Sequence, residues 1–275
     1  MPNVSVIIPT YNRASFLPNA ITSILHQTYE DYEVIVIDDG STDETPRVLK
    51  QFEGKIKVLF QKNRGASAAR NLGIQEADGN YISFLDSDDQ WTRKKLQIQI
   101  QRIQEDPDIK ICYTDEIWIR NGVRVNQKKR HRKYDGWFID KMLPLCLISP
   151  SSVLIHREIF DTVGMFDEGL PVCEDYDLWL RINVRYPITF IPEPLIIKFG
   201  GHEDQLSRQY GAIDRFRVQA LEKLLDNPYL KEVYRPLVIQ TIRQKCQILA
   251  NGCFKRGKIE QGKVFQAMIQ KYQLC

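Results

Sequence analysis

Apolar runs alternate with amphipathic stretches along the first third of the chain. Four runs rich in β-branched residues predict buried strands, at residues 4–9, 33–40, 56–61 and 81–86. A helical pattern separates the first two runs, and residues 65–77 form a small-residue stretch that predicts a closely packed helix. Strands that alternate with helices indicate an α/β fold with a parallel, doubly wound sheet.

Two sequence signals predict where helices begin. Residues 41–44, STDE, match a capping box and predict a helix that extends to about Phe52. Thr92 stands before a further amphipathic stretch, and we expect it to cap that helix. From about residue 109 the pattern predicts mixed strands and short helices, and from about residue 210 it predicts helices alone.

Polar side chains directly follow three of the predicted strands. They fall at residues 10–13, at Asp38 and Asp39, and at residues 86–89. Ligands of doubly wound sheets bind beyond the carboxyl ends of the strands. A solvated loop could account for the polar residues at any one of these strand ends. It accounts poorly for polar residues at all three. We therefore expect a binding site at this edge of the sheet.

Three aspartates, Asp86, Asp88 and Asp89, crowd into four positions at the last of these ends. Carboxylates this close repel one another and are costly to bury without a partner. Their chemistry favours a hard divalent cation, Mg²⁺ or Mn²⁺, which binds through one or two carboxylates and the phosphates of a nucleotide. A lone arginine is more often a surface side chain than a phosphate ligand. The candidates for holding such phosphates are Arg13, Arg64 and Arg70.

Composition is that of an ordinary globular protein. The 275 residues are 43% hydrophobic and 27% charged, and the net charge of +3 gives no indication of nucleic-acid binding. Residues 201–275 carry 13 Lys and Arg against 7 Asp and Glu, which indicates either a separate role for the tail or a solvated basic surface. The six cysteines show no C-x-x-C spacing, so we expect free thiols in a reducing cytosol. We find no signal-peptide pattern and no apolar run of membrane-span length, so we expect any membrane contact to be peripheral.

Two phosphate-binding motifs of other protein classes do not fit. No G-x-G-x-x-G follows the first strand, which argues against a dinucleotide dehydrogenase. Residues 252–259, GCFKRGKI, come near a P-loop, but Ile259 replaces the Ser or Thr and a helical pattern precedes them instead of a strand. We reject this match as chance.

Five motifs, in this order along the chain, resemble glycosyltransferase family 2. They are VSVIIPTYNR, VIVIDDGSTDET, NRGASAARNLGI, FLDSDD and CEDYDLWLR, and they cover roughly residues 3–200. The resemblance implies a GT-A fold, that is, a Rossmann-like and mostly parallel central sheet flanked by helices. It also implies a metal-dependent enzyme that moves a sugar from a nucleotide diphosphate, most naturally UDP, to an acceptor hydroxyl with inversion.

The resemblance assigns a role to each matching residue. The nucleoside pocket that it implies is lined by Pro9, Thr10, Tyr11, Arg13 and Asp39. Near the ribose and the phosphates it places Arg70, Asp86 and Ser87. The metal ligands that it implies are Asp88 and, in a looser match over residues 198–207, His202. The catalytic base that it implies is Asp175, beside Glu174. A helix N-cap is the alternative role for Asp175.

The expected organisation is a GT-A catalytic domain over residues 1–205 and a helical C-terminal extension over residues 206–275. Residues 1–105 would bind the nucleotide sugar and residues 106–205 the acceptor, a saccharide or a lipid-linked saccharide. The apolar stripes of the extension must be buried, so we expect it to dock on the catalytic domain or on a second subunit. The expected location is cytoplasmic, including the inner face of the membrane; peripheral membrane contact and a homodimer are left open.

Two other functions stay open at this point. A sugar nucleotidyltransferase has a similar sheet and similar metal use, but it would need a Gly-rich basic loop where this chain has PTYNRAS. A non-catalytic nucleotide-sugar-binding protein of the same fold is the other, and the four intact aspartates of the motifs argue against it. A processive enzyme would carry Q-x-x-R-W, and residues 240–244, QTIRQ, lack the Trp. We therefore expect a non-processive, hexosyltransferase-type enzyme of surface polysaccharide or glycolipid assembly.

Overall fold

The N-terminal part of the chain forms four parallel strands, which make up one half of the sheet. In the computed structural model, which describes residues 1–201 and 210–273, they are β1 (Val4–Thr10), β2 (Tyr32–Asp38), β3 (Lys57–Phe60) and β4 (Tyr81–Phe84). β1 lies between β2 and β4, and β3 pairs with the other side of β2. The predicted parallel arrangement is confirmed here, and the carboxyl ends of β1, β2 and β4 meet at one edge.

Five further strands of the described chain extend this sheet. They are β5 (Gln90–Trp91), β6 (Ile111–Arg120), β7 (Val123–Val125), β8 (Val153–His156) and β9 (Thr189–Gly200). The order is β3-β2-β1-β4-β8-β6-β9-β5, and β7 pairs with β6. β8 runs antiparallel to both β4 and β6, whereas β9 is parallel to β6. Strict parallel pairing therefore holds for the first four strands and ends at β8.

Ten α-helices of the described residues accompany the sheet. They are α1 (Leu17–Leu25), α2 (Thr45–Lys50), α3 (Ala66–Gln75), α4 (Lys95–Glu105), α5 (Ile139–Met142), α6 (Glu158–Val163), α7 (Glu174–Asn183), α8 (Asp214–Leu225), α9 (Arg235–Lys255) and α10 (Ile259–Lys271). Helix α3 packs directly on β1, because Gly73 lies so close to the side chain of Ile7 that an added Cβ would clash with it. The glycine therefore brings α3 close to the sheet.

The predicted capping box at residues 41–44 is wrong. Helix α2 begins at Thr45, and Asp43 rather than Ser41 accepts from its first N–H, through Oδ1 at 2.9 Å. The hydroxyl that the capping box would use serves another purpose, because Ser41 Oγ accepts from the N–H of Asn12 at 2.9 Å. These residues therefore tie the end of β1 to the start of α2 instead of closing the helix.

The predicted cap at Thr92 is also wrong. The Thr92 N–H donates to the carbonyl oxygen of Leu195 at 2.9 Å, which continues the pairing of β5 with β9. Helix α4 begins three residues later, at Lys95, and Gln27 Oε1 accepts from the N–H of Leu96 in its first turn at 3.1 Å. The short strand β5, which the sequence pattern did not indicate, delays the start of the helix.

The two faces of β1 enter two different hydrophobic clusters. Val6 and Ile8 pack on one face with buried residues of α1 and α4. Ile7 points the other way and packs with buried residues of α3, α7 and α8. This is the period of two that a strand imposes, and it explains why the run VSVIIP carries apolar residues on both faces.

The C-terminal helices share a hydrophobic core with the sheet and the helices that precede them. Leu221 of α8 and Ile242 of α9 are fully buried in the same cluster as β1, α3 and α7. Lys223 of α8 adds an ion pair of 2.7 Å with Asp177 of α7. The C-terminal helices thus pack on the preceding part of their own chain, which is one of the two expected arrangements. Among the described helices, none is both long and apolar enough to cross a membrane.

The docking of α8 makes a first testable prediction. Leu221→Ala should lower the free energy of unfolding by about 2–5 kcal/mol, because it leaves a cavity at a fully buried position. Val264→Ala in α10 is the matched control: Val264 is 60% exposed, so we expect a change within about 0.5 kcal/mol. Urea unfolding of both variants measures the difference. Equal effects would mean that α8 does not belong to the core.

Candidate active site

The segment after β1 presents one aromatic ring at the sheet edge. Pro9 and Thr10 are buried, whereas the next residue, Tyr11, is 44% exposed. Asn12 then turns the chain with a left-handed backbone (φ 52°), and its Oδ1 accepts from a backbone N–H of the loop before α2 at 2.7 Å. The N–H of Arg13 donates to a threonine hydroxyl at the start of α2 at 2.9 Å. This bonding fixes the turn and leaves the Tyr11 ring accessible to a planar ligand.

The carboxylate of Asp39 fastens the loop that leads into α3. Its Oδ1 accepts from the side chain of Gln61 at 2.6 Å and from the backbone N–H of Arg64 at 2.8 Å. Its Oδ2 accepts from the N–H of Gly65, also at 2.8 Å. Each carboxylate oxygen has two lone pairs, so Oδ2 can accept one further donor, such as a base N–H. Asp39 therefore positions the start of α3 while it faces the ligand edge.

Arg70 joins two carboxylates that lie far apart in the sequence. Its guanidinium donates to Asp86 Oδ1 at 2.8 Å and to Glu174 Oε1 at 2.7 Å, and it stacks over the ring of Phe166. Burial alone would lower the pKa of Arg70, but the two carboxylates outweigh it and raise the pKa, so the charge is kept. The bridge brings the helix that carries Asp175 to the strand end that carries Asp86.

The aspartate cluster divides into an inner and an outer part. Asp89 is buried, and its Oδ2 accepts from Ser151 Oγ at 2.7 Å. Burial raises the pKa of Asp89 well above its usual value, which Lys198 only partly offsets. The hydroxyl of Ser151 also accepts from the N–H of Asp86, at 3.1 Å. Asp89 is thus an internal support, whereas Asp86 and Asp88 are partly exposed; Ser87 between them is itself buried.

Asp175 lies in the first turn of α7, one residue after Glu174. The N-cap of this helix is Cys173, in a left-handed conformation (φ 64°), so the alternative role of Asp175 as N-cap is not what the structure has. Asp175 Oδ2 accepts from the thiol of Cys146, whose Sγ lies 3.4 Å away. Burial and the neighbouring carboxylate raise the pKa of Cys146 well above its usual value, so the thiol keeps its proton and donates. The helix dipole also stabilises a carboxylate in this turn.

Glu174 faces inward beside Asp175. Burial raises its pKa to about 7, although the charge of Arg70 pulls the pKa down. The residue is almost fully buried and is bonded to Arg70. Glu174 therefore supports the arginine bridge, and Asp175 is the carboxylate that is partly exposed at this helix end.

Lys198 of β9 is a second cation near these carboxylates, beside Arg70, and sequence reasoning missed it. Four carboxylates interact electrostatically with its ammonium group: those of Glu116, Asp89, Asp86 and Asp175. Burial would lower the pKa of Lys198, but these charges raise it. One signal was present in the sequence, because a lysine interrupts the apolar strand PLIIKF. Ser151 carried no such signal, since only the fold brings it to the aspartates.

The acidic residues suit a metal that a nucleotide helps to hold. Within the described ranges, no group of three or more His, Cys, Asp or Glu could bind a metal ion by itself. Zinc needs three or four protein ligands, whereas Mg²⁺ and Mn²⁺ use one or two carboxylates, phosphates and water. Asp86 and Asp88 fit the second pattern. The other expected ligand, His202, lies outside the described residues.

This fold and this edge define a class of protein. A sheet that is parallel over β1–β4, with polar groups at its carboxyl edge and an acidic helix beyond it, is the GT-A fold of glycosyltransferases. The more particular assignment comes from the sequence. Residues 5–164, more than half of the chain, match the family model described as Glycosyl transferase family 2, and the chain belongs to that family.

Curated relatives agree with the family. An uncharacterised glycosyltransferase of Rickettsia conorii is 37% identical over 219 residues, which are 75% of this chain and 35% of that protein. The UDP-Glc:alpha-D-GlcNAc-diphosphoundecaprenol beta-1,3-glucosyltransferase WfgD of Escherichia coli is 35% identical over 181 residues, or 65% of this chain and 69% of WfgD. The chain spans about a third to two thirds of the length of the Rickettsia relatives.

Solved structures support the fold. S. aureus TarS, residues 1–349 in complex with UDP-GlcNAc, has a TM-score of 0.69 and 17% identity, covering 100% of this chain and 92% of that one. The mannosyltransferase PcManGT of Pyrobaculum calidifontis, in complex with GDP-Man and Mn²⁺, has a TM-score of 0.63 and 17% identity, covering 99% and 87%. At such identities the likeness concerns the fold alone.

Proposed function

We propose that this chain is a metal-dependent, inverting and non-processive glycosyltransferase. It transfers a hexosyl residue from a UDP-linked donor to a hydroxyl of a saccharide or lipid-linked saccharide, in the assembly of a surface polysaccharide or glycolipid. The acceptor class follows the E. coli relative, whose name specifies a saccharide linked to undecaprenol through a diphosphate. Family membership and the sequence PTYNRAS after β1 favour this function over nucleotidyl transfer.

The observation that carries the proposal is the bridge through Arg70. It ties Asp86, at the end where a donor diphosphate is expected, to Glu174, the neighbour of Asp175. Single displacement at a sugar carbon requires a leaving group on one side and one carboxylate base on the other. The bridge brings these two functions to one site, although 88 positions separate Asp86 from Glu174.

The residues divide the work in the following way. Tyr11 offers its ring to the base, and Asp39 Oδ2 accepts a base N–H. Asp86 and Asp88 hold a divalent cation, Mg²⁺ or Mn²⁺, which when bound stabilises the negative charge that grows on the leaving diphosphate. Asp175 takes the proton of the acceptor hydroxyl and makes it a competent nucleophile.

Lys198 contributes a positive charge to this proposed mechanism. Its ammonium group is under the influence of carboxylates on both sides of the site, including Asp86 and Asp175. A fixed positive charge in a partly buried site stabilises charge that develops on a leaving diphosphate. It also limits the mutual repulsion of the acidic residues before a donor and a cation bind.

A second prediction tests the metal role. Asp88→Ala should weaken the affinity for UDP in the presence of Mn²⁺ by about 10- to 100-fold, since it removes one charged ligand worth about 1.5–3 kcal/mol. Calorimetric titration of UDP with Mn²⁺ and with EDTA measures the metal-dependent part of the affinity. The melting temperature should stay near the wild-type value, because Asp88 is partly exposed at a strand end.

Asp108→Ala, at an exposed position after α4, is the control for loss of one aspartate. The proposal also requires that the wild-type chain release UDP from a UDP-sugar when an acceptor and Mn²⁺ are present. UDP affinity that is the same with Mn²⁺, with EDTA and in Asp88→Ala would contradict the metal role. Tight donor binding without any transfer would instead favour the non-catalytic alternative.

A further inference from the structure

A large cavity opens beside β6 and β7, away from the aspartates of the site. Its volume is about 800 Å³, and a second cavity of about 530 Å³ adjoins it through shared lining residues. We call the pair the β6–β7 cavity. Residues that line it and bear on its chemistry are Glu116, Trp118, Arg124, Arg132, Lys133 and Tyr134. The space is sufficient for a disaccharide-sized ligand.

The wall of the cavity is a bonded structure and not a loose loop. The side chain of Gln127 donates to the Glu116 carbonyl at 2.9 Å and to Asp115 Oδ1 at 3.0 Å. The N–H of Tyr134 donates to the hydroxyl of Tyr113 at 2.9 Å, and that hydroxyl donates back to the Tyr134 carbonyl at 2.6 Å. These bonds hold residues 126–135 against β6, so the cavity is formed before a ligand arrives.

The described lining of the cavity carries more cations than carboxylates. In residues 1–201 and 210–273, no carboxylate lies within ion-pair distance of the four exposed cations on its lining, Arg124, Lys128, Lys129 and Arg132. Together with Lys133 these cations outnumber the three carboxylates of the lining, those of Asp115, Glu116 and Asp135, so the lining carries an excess of positive charge. This charge distribution suits an anionic ligand with several oxygens, such as a phosphate or a diphosphate.

One buried acceptor atom lacks a donor in this cavity wall. Glu116 is 7% exposed; its Oε1 accepts from Trp118 and Lys133, but its Oε2 is buried without a hydrogen-bond partner. Burial raises the pKa of Glu116, but Lys133 and Lys198 overcome this and hold it below its usual value, so the group is a carboxylate. A buried carboxylate oxygen without a donor is unfavourable. A sugar hydroxyl is a donor of the right size.

The cavity is linked to the proposed catalytic end through one side chain. Among the carboxylates that raise the pKa of Lys198, Glu116 has the largest effect, and Asp86 and Asp175 also contribute. We propose that the β6–β7 cavity binds the acceptor, and that this acceptor is a saccharide bearing a phosphate or diphosphate. The cations hold the phosphates, and Glu116 accepts from a sugar hydroxyl. This inference rests on the proposed function and specifies its acceptor.

The test is calorimetric binding to the full chain without donor or metal. The first probe is N-acetylglucosaminyl diphosphate with an octyl chain. The comparison probes are octyl N-acetylglucosaminide, inorganic pyrophosphate and vesicles of phosphatidylglycerol. We expect the first probe to bind at least about ten times more tightly than the octyl glycoside, because only the former carries charges for the cations.

Two variants identify the site. The first variant replaces four residues by Gln: Arg124, Lys128, Lys129 and Arg132. It should raise the Kd of the first probe about 10- to 100-fold, because it removes four exposed charge contacts. The control replaces four exposed lysines elsewhere, Lys50, Lys55, Lys255 and Lys258, by Gln and should leave the Kd within about twofold. Glu116→Gln should raise the Kd about tenfold for the first probe but not for pyrophosphate.

Three results would overturn the proposal. One is an unchanged Kd in the quadruple cavity variant, and another is equal weakening in the quadruple control. The third is that phosphatidylglycerol vesicles bind as tightly as the first probe and that the quadruple cavity variant loses this binding. That result would mean that the cations bind a lipid surface. The binding assay needs no transfer, so failure of the proposed function would show separately, as loss of the effect of Mn²⁺ on UDP affinity while this binding persists.

Discussion

Asp175→Asn should reduce the rate of sugar transfer by about 10²–10⁴-fold while donor affinity stays within about twofold of wild type. The amide cannot take a proton from the acceptor hydroxyl, and loss of a general base typically has this effect on rate. The residues proposed to hold the donor, including Tyr11 and Asp39, follow other strands and do not contact Asp175. Transfer rate, UDP affinity with Mn²⁺ and melting temperature should be measured on the same preparation.

Asp161→Asn in α6 is the matched control, because Asp161 is exposed in the first turn of another helix. We expect it to leave both rate and stability unchanged. If Asp175→Asn turned over at a near-normal rate, Asp175 would not be the base. Glu174 would then be the next candidate, since Asp177 is already paired with Arg181 and Lys223, each at 2.7–2.8 Å.

Arg70→Met should lower the free energy of unfolding by about 3–5 kcal/mol and weaken donor binding as well. The substitution leaves the carboxylate of Glu174 buried without its cation, and removal of one partner of a buried ion pair has a cost of this size. It also removes the bond that orients Asp86. The measurements are urea unfolding and UDP titration with Mn²⁺.

The pH dependence of Arg70→Met has a definite sign. A carboxyl group whose pKa is higher in the folded than in the unfolded chain lowers stability as the pH rises, because ionisation is then penalised in the folded state. The pKa of Glu174 is already raised to about 7, and loss of Arg70 raises it further. The variant should therefore lose more stability than the wild type as the pH rises from about 5 to about 8. Arg102→Met, which removes a half-exposed arginine of α4, should follow the wild-type curve.

The sequence predicted the parallel half of the fold well because local signals and global structure coincide there. The run at residues 4–9 is apolar on both faces because β1 is covered on both faces, and such a run is short enough to be a strand. β8 carried no comparable signal of direction: nothing in a four-residue apolar strand tells whether it pairs in parallel or antiparallel. The helix caps failed for a related reason, since Ser41 found a partner 29 positions away in sequence.

The sequence indicated site residues that lie within motifs, and it missed residues that only the fold brings to the same place. Asp86, Asp88 and Asp175 were found because their neighbours form recognisable patterns, and their assigned roles remain predictions. The division of the aspartate cluster was not predictable, because it depends on Ser151, which reaches Asp89 across 62 positions. The charge balance of the site likewise depends on Lys198 and Glu116, which lie on two paired strands that no motif connects.

The ion pair between Lys223 and Asp177 has a consequence for the design of hybrid proteins. Helix α7 carries Asp175 in its first turn, and its Asp177 is held by a residue of the C-terminal helices. An exchange of acceptor specificity between relatives that replaced only residues beyond about 210 would separate this helix from the lysine that anchors it. The buried carboxylate of Asp177, two residues from the proposed base, would then keep only Arg181 as its ion-pair partner among the described residues. Segments for recombination should therefore begin before α7, so that the helix and its anchor are inherited together.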